Sequence, residues 1–129
     1  MSDRRKTSNI ERLAKATAFL DKVLKTSEDD VQRAAAIQAF EMCFELSWRV
    51  MKDWLEMQGI SLASPREIIR ESARQGLIDN PAEWLDFLET RNLSAHTYNE
   101  QNAVEAYRII KDLFAASVNM LLSGVRAAE

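Results

Sequence analysis

The run Ile37-Gln-Ala-Phe40-Glu-Met-Cys-Phe44-Glu-Leu-Ser-Trp48-Arg-Val-Met51-Lys-Asp-Trp54-Leu55-Glu-Met57 decides the fold. Ile37, Phe40, Phe44, Trp48, Met51 and Leu55 recur at three- and four-residue spacing, the signature of one helical stripe. A second stripe, Cys43, Leu46, Val50, Trp54 and Met57, lies beside it and widens the apolar arc past that of an ordinary surface helix. Such a helix buries two sides. It is either the centre of a bundle or part of a subunit interface, and periodicity does not choose between them.

Working outward, Ser8-x-x-Glu11 has the form of a capping box, followed by Ile10, Leu13, Thr17, Leu20 and Leu24. This predicts a helix over about 9–25, then a polar turn from Thr26 to Asp30. Downstream, Gly59 closes the long helix and Ser64-Pro-Arg-Glu67 opens a short one that ends near Gly76. Asn80-Pro-Ala-Glu83 repeats that grammar and predicts a helix to about Arg91 that buries Trp84, Leu85 and Leu88. A polar elbow, Asn92 to Tyr98, is expected next. Asn99 then caps a last helix with Ala103, Tyr107, Ile110, Phe114, Ser117 and Leu121 on one face, ending around Gly124. Short connections between long helices favour antiparallel neighbours, so the expected fold is all-α: an up-and-down antiparallel four-helix bundle with an additional short helix, one domain over 1–129.

Composition agrees. A chain of 129 residues with 47% hydrophobic residues supports one compact core and is too short for two. Three Gly and two Pro are few breakers, which suits long helices and argues against all-β architectures. The formal charge of -3 excludes a protein that coats nucleic acid by bulk charge, so any RNA contact must be local. Cys43 and His96 are the single members of their types, which rules out an intramolecular disulfide and argues against a transition-metal centre; no cofactor is implied. The polar N-terminus lacks a secretion signal's apolar core, and no apolar stretch reaches the roughly 18 residues of a membrane span. A cytoplasmic protein without membrane attachment is expected.

The lone histidine stands in Arg91-Asn-Leu-Ser-Ala-His96-Thr-Tyr98, off the core stripes. A single His in a small protein is more often structural than catalytic. The spacing Arg91-x4-His96-x-Tyr98, however, resembles the signature of the HEPN superfamily of small helical proteins. Phe40 to Trp48, Ser64-Pro-Arg-Glu67, Trp84-Leu-Asp86 and Arg91-Asn92 through Glu100 resemble, in order, its subgroup of nucleotidyltransferase substrate-binding proteins over nearly the whole chain.

The resemblance implies a homodimeric bundle in which Arg91 and His96 of both subunits face one cleft. It implies a metal-independent endoribonuclease toxin, inhibited by a cognate minimal nucleotidyltransferase antitoxin that attaches AMP to Tyr98. The alternative is a non-catalytic subunit that helps a nucleotidyltransferase hold its nucleotide or acceptor. The residue types suit RNA cleavage, because RNA supplies its own 2′-OH nucleophile and the protein need only move protons and stabilise charge. His96, with an ordinary pKa of about 6.5, accepts and returns a proton near neutrality. Arg91 suits non-bridging phosphate oxygens, and Asn92 suits orienting His96 or donating to phosphate.

Other residues keep two readings. Tyr98 is an AMP acceptor or an aromatic brace of the elbow. Arg91 pairs with its own helix end, with Asp86 or with Glu89, whether or not it also meets phosphate. Arg66, Arg70 and Arg74 form a basic edge for an RNA backbone or pair with Glu67 and Glu71 along the helix. Glu41 and Glu45, beside apolar surface, call for an Arg across the bundle or, alternatively, act in catalysis. Met42, Met51, Met57 and the tryptophans are core or dimer surface.

Overall fold

A computed structural model describes residues 2–96 and 100–127, with side chains described over 8–93 and 101–127. Among the described residues there are five helical rods: α1 (Ser2–Leu24), α2 (Asp30–Met57), α3 (Pro65–Arg74), α4 (Pro81–His96), and a last rod of α5 (Glu100–Ile109), a π-helical turn (Ile110–Phe114) and α6 (Ala115–Ala127). The architecture is all-α, as its breakers and periodicity predict. Among the described residues no helix is long and apolar enough to cross a membrane.

Local chemistry fixes most of the helix ends. The Asp29 side chain accepts the Gln32 N–H at 2.8 Å and starts α2. At the other end Gly59, with φ 82°, lets the Gly59 N–H reach Glu56 O and the Ile60 N–H reach Leu55 O. Gly76 ends α3 by the same reversal, at φ 87°, with the Leu77 N–H on Ser72 O. Ser64 and Pro65 stand at the start of α3 as predicted, although the Ser64 side chain makes no capping bond. Asn80 Oδ1 accepts the Glu83 N–H at 3.1 Å and starts α4.

Several boundaries and registers differ from the sequence reading, among them the end of the last rod, which runs through Gly124 to Ala127. Ser8 does not cap α1: the helix begins at Ser2, because the charged residues before Ser8 continue a helix as readily as they end one. The elbow expected from Asn92 is helical as far as His96, since no Gly or Pro interrupts α4 there. Asn99, the expected cap of the last rod, lies outside the described residues. Within that rod the Ala115 N–H bonds to Ile110 O, an i to i+5 bond that inserts one residue into the turn. The core face therefore passes from Ile110 and Phe114 to Val118, with Ser117 at its edge. Likewise, α4 buries Trp84 and Phe87 fully while Leu85 and Leu88 are half-buried.

The long helix α2 is the centre of the bundle, touching α1, α3, α4, α5, the π turn and α6. Its Phe40 and Phe44 enter an aromatic cluster with Trp84 and Phe87 of α4 and Phe114 of the π turn. Phe114 lies 4.8 Å from Phe40 and 5.1 Å from Phe87, centroid to centroid, both nearly perpendicular. Side-chain bonds tie the rods together elsewhere: Asn9 Nδ2 donates to Asp53 at 2.7 Å, and Gln32 Nε2 donates to the Tyr107 hydroxyl at 2.8 Å. Trp48 and Trp54, on the edges of the two α2 stripes, are only partly buried.

Candidate functional site

The face of α2 turned toward α1 is incompletely covered. A groove of about 980 Å³ runs between these two helices and ends at Arg91 of α4. Its floor exposes large apolar side chains, with Phe19 55% and Met42 63% accessible. Among the described residues, Arg12, Lys15, Arg49 and Arg91 stand around it, four cations against the carboxylates of Glu41 and Glu45. An acidic chain thus has, among its described side chains, a local excess of positive charge here.

At the Arg91 end the polar groups converge. Arg91 Nη2 lies 3.8 Å from Glu45 Oε2, joining α4 to α2, with the two side chains 37% and 36% exposed. Glu45 Oε2 also accepts the Trp48 indole N–H at 3.1 Å, and Glu45 Oε1 faces Arg49 Nη2 at 3.3 Å. The Arg49 guanidinium lies 5.7 Å from the Trp48 ring centre, close enough for a cation–π contact. Glu45 therefore has an arginine across the bundle as its position required, and Arg91 meets a carboxylate of α2.

The remaining predicted residues are distributed as follows. Asn92 follows Arg91 on α4 and is exposed. Residue 96 is the last of α4, five positions and about 7.5 Å of helix rise beyond Arg91. The His96 side chain and all of Tyr98 lie outside the described residues, so Arg91 is the described member of the set. Arg66, Arg70 and Arg74 are exposed on α3, which packs against α2 and α4, and none of them lines the groove. Arg74 Nη1 lies 3.5 Å from Glu71 Oε1, the intrahelical pairing considered for that edge.

Sequence reasoning missed Arg12, Lys15 and Arg49 as neighbours of Arg91. For Arg49 a local signal existed in the four-residue spacing from Glu45. For α1 the signal was Phe19, a large apolar residue off the Leu13, Thr17, Leu20 stripe.

Residues 8–127 match the family model described as nucleotidyltransferase substrate binding protein like. The chain belongs to this family. A curated relative, the Probable ribonuclease HepT of Haemophilus influenzae, is 34% identical over 97 residues, 71% of this chain and 66% of that protein. The match thus spans slightly less than two thirds of the relative's length. A solved structure from Thermus thermophilus is 33% identical and superimposes with a TM-score of 0.82, covering 88% of this chain and 98% of that one. A tri-AMPylated Shewanella oneidensis HEPN toxin, solved in complex with MNT antitoxin, shares the fold at 15% identity and a TM-score of 0.77, over 95% of this chain and 96% of that one. The family resemblance legible in the four sequence blocks is thereby confirmed over almost the whole chain.

Proposed function

We propose that this member of the nucleotidyltransferase substrate-binding family is a HEPN-type endoribonuclease toxin that cleaves RNA without a metal. A cognate minimal nucleotidyltransferase antitoxin inhibits it. The observation that carries the reading is Arg91 at the end of a groove where, among the described residues, four cations face two carboxylates, on the helix that ends at His96. The likeness to a ribonuclease at 34% identity supports it.

In this reading Arg91 holds the non-bridging oxygens of the scissile phosphate and stabilises the charge that builds there. His96 takes the proton of the 2′-OH as that oxygen attacks the adjacent phosphorus. The P–O5′ bond breaks, a proton is returned to the leaving 5′-oxygen, and the products carry a 2′,3′-cyclic phosphate and a 5′-OH. Asn92 orients His96 or donates to phosphate. Two copies of the chain pair so that both sets of Arg91 and His96 face one cleft. Tyr98 is the AMP acceptor through which the antitoxin acts, since each AMP brings negative charge and bulk to the place of the RNA phosphate. That the Shewanella oneidensis toxin of the same fold is AMPylated supports AMP attachment as the kind of modification.

The decisive assay incubates purified protein with mixed RNA in EDTA, beside His96→Ala. Wild type should yield fragments with cyclic phosphate ends, and His96→Ala should lose on the order of a hundredfold or more in rate while staying folded. Equal cleavage by both would remove His96 from the mechanism. If neither cleaves, and mass spectrometry finds Tyr98 unmodified, the reading passes to a non-catalytic nucleotidyltransferase substrate-binding subunit, the alternative that the family's description favours.

A further inference from the structure

Resting on the reading of Arg91 as the phosphate ligand, we infer that Glu45 is the positioning residue for Arg91, acting through its charge. Glu45 projects from α2, which every other rod contacts and which is therefore the least mobile frame available. Two groups of its own helix orient the carboxylate. The Trp48 indole N–H binds Oε2 at 3.1 Å from one turn away, and Arg49 faces Oε1 at 3.3 Å. The negative charge so fixed lies 3.8 Å from Arg91 Nη2, on a different helix.

That distance decides what the contact does. At 3.8 Å the pair is longer than a direct hydrogen bond, so Glu45 acts on the guanidinium through its charge. Half-exposed ion pairs add little to stability, so holding the fold is a poor account of this three-residue arrangement. One carboxylate between Arg49 and Arg91 leaves these three side chains with one net positive charge, so it orients the cation without cancelling attraction for RNA.

Glu45→Gln tests this, because the amide keeps the size of the side chain and an oxygen for the Trp48 N–H while losing the charge. Metal-free RNA cleavage is measured below and above saturation, beside Glu45→Asp. Nitrogen-15 NMR follows the Arg91 side chain, assigned with Arg91→Lys, and the Trp48 indole, assigned with Trp48→Phe. The expected result for Glu45→Gln is a fall in kcat on the order of tenfold with KM no higher than wild type. Its melting midpoint moves by no more than a few degrees, Arg91 loses side-chain order and Trp48 keeps its indole signal. Glu45→Asp, which retains the charge, recovers part of the rate. A Glu45→Gln protein with wild-type or raised kcat, or an Arg91 equally ordered in both proteins, overturns the proposal. Absence of cleavage by the wild type overturns the nuclease reading instead, and the NMR comparison then decides the role of Glu45 separately.

Discussion

Cys43 illustrates how burial sets the chemistry of a single side chain. It is fully buried on α2, and burial, with the nearby Asp21 carboxylate adding, pushes its thiol up to about 12. A thiol this reluctant to ionise is a packing residue, so a disulfide-exchange reagent at pH 8 should leave the native protein unlabelled and react only as it unfolds. The same shift has a pH consequence. Below the ordinary value of 9.0 the thiol is protonated in both states and contributes nothing. Above it the unfolded chain ionises while the folded chain does not, so stability should fall as pH rises from about 9 to about 12. Urea midpoints at pH 8 and pH 10 check this, and Cys43→Ala should show a smaller decline.

The last rod shows how one backbone bond governs a whole helix. The i to i+5 bond from Ala115 to Ile110 admits one residue more than an α-helical turn, and this aligns two apolar faces on one core. Tyr107, Ile110 and Phe114 stand before or within the π turn; Val118, Leu121, Leu122 and Val125 follow it, all buried. Asp112 lies in that turn and is exposed. Deleting Asp112 should restore an α-helical turn with both faces still inward, at a cost of about 1 kcal/mol or less. Deleting Asn119 from α6 should instead rotate Leu121, Leu122 and Val125 by about 100° and cost several kcal/mol. Thermal melts of the two deletions decide it; similar losses would show that the π turn does not absorb the extra residue.

Across the molecule, the aromatic cluster is the joint that sets how the rods cross. Phe114 is fully buried and meets Phe40, Trp84 and Phe87, so it ties the last rod to both α2 and α4. Phe114→Ala should cost about 3–5 kcal/mol, a large share of the roughly 5–15 kcal/mol that stabilises a domain. Denaturant titration measures it, and a loss below about 2 kcal/mol would show that the cluster collapses to fill the void. The joint matters for the site as well. Trp84 and Phe87 fix α4 against α2, and that docking brings Arg91 to Glu45.

The long apolar face of residues 37–57 specified a helix buried on two sides, and Ser64-Pro65, Asn80-Pro81, Gly59 and Gly76 marked where rods begin or end. These signals are legible because capping, backbone reversal and periodicity act between residues a few positions apart. Arg91-x4-His96-x-Tyr98 and its companion blocks likewise carried the family. The start of α1, the helical continuation from Asn92 to His96 and the π turn were not legible, since no Gly, Pro or cap marks them and tertiary packing overrides weak local preference. Nor was the groove. Arg91 and Glu45 are 46 positions apart, and Arg12 and Lys15 belong to a third helix. Only the tertiary structure brought them together, because the relative rotation of packed helices is decided by how their buried side chains interlock, a property of the assembled core.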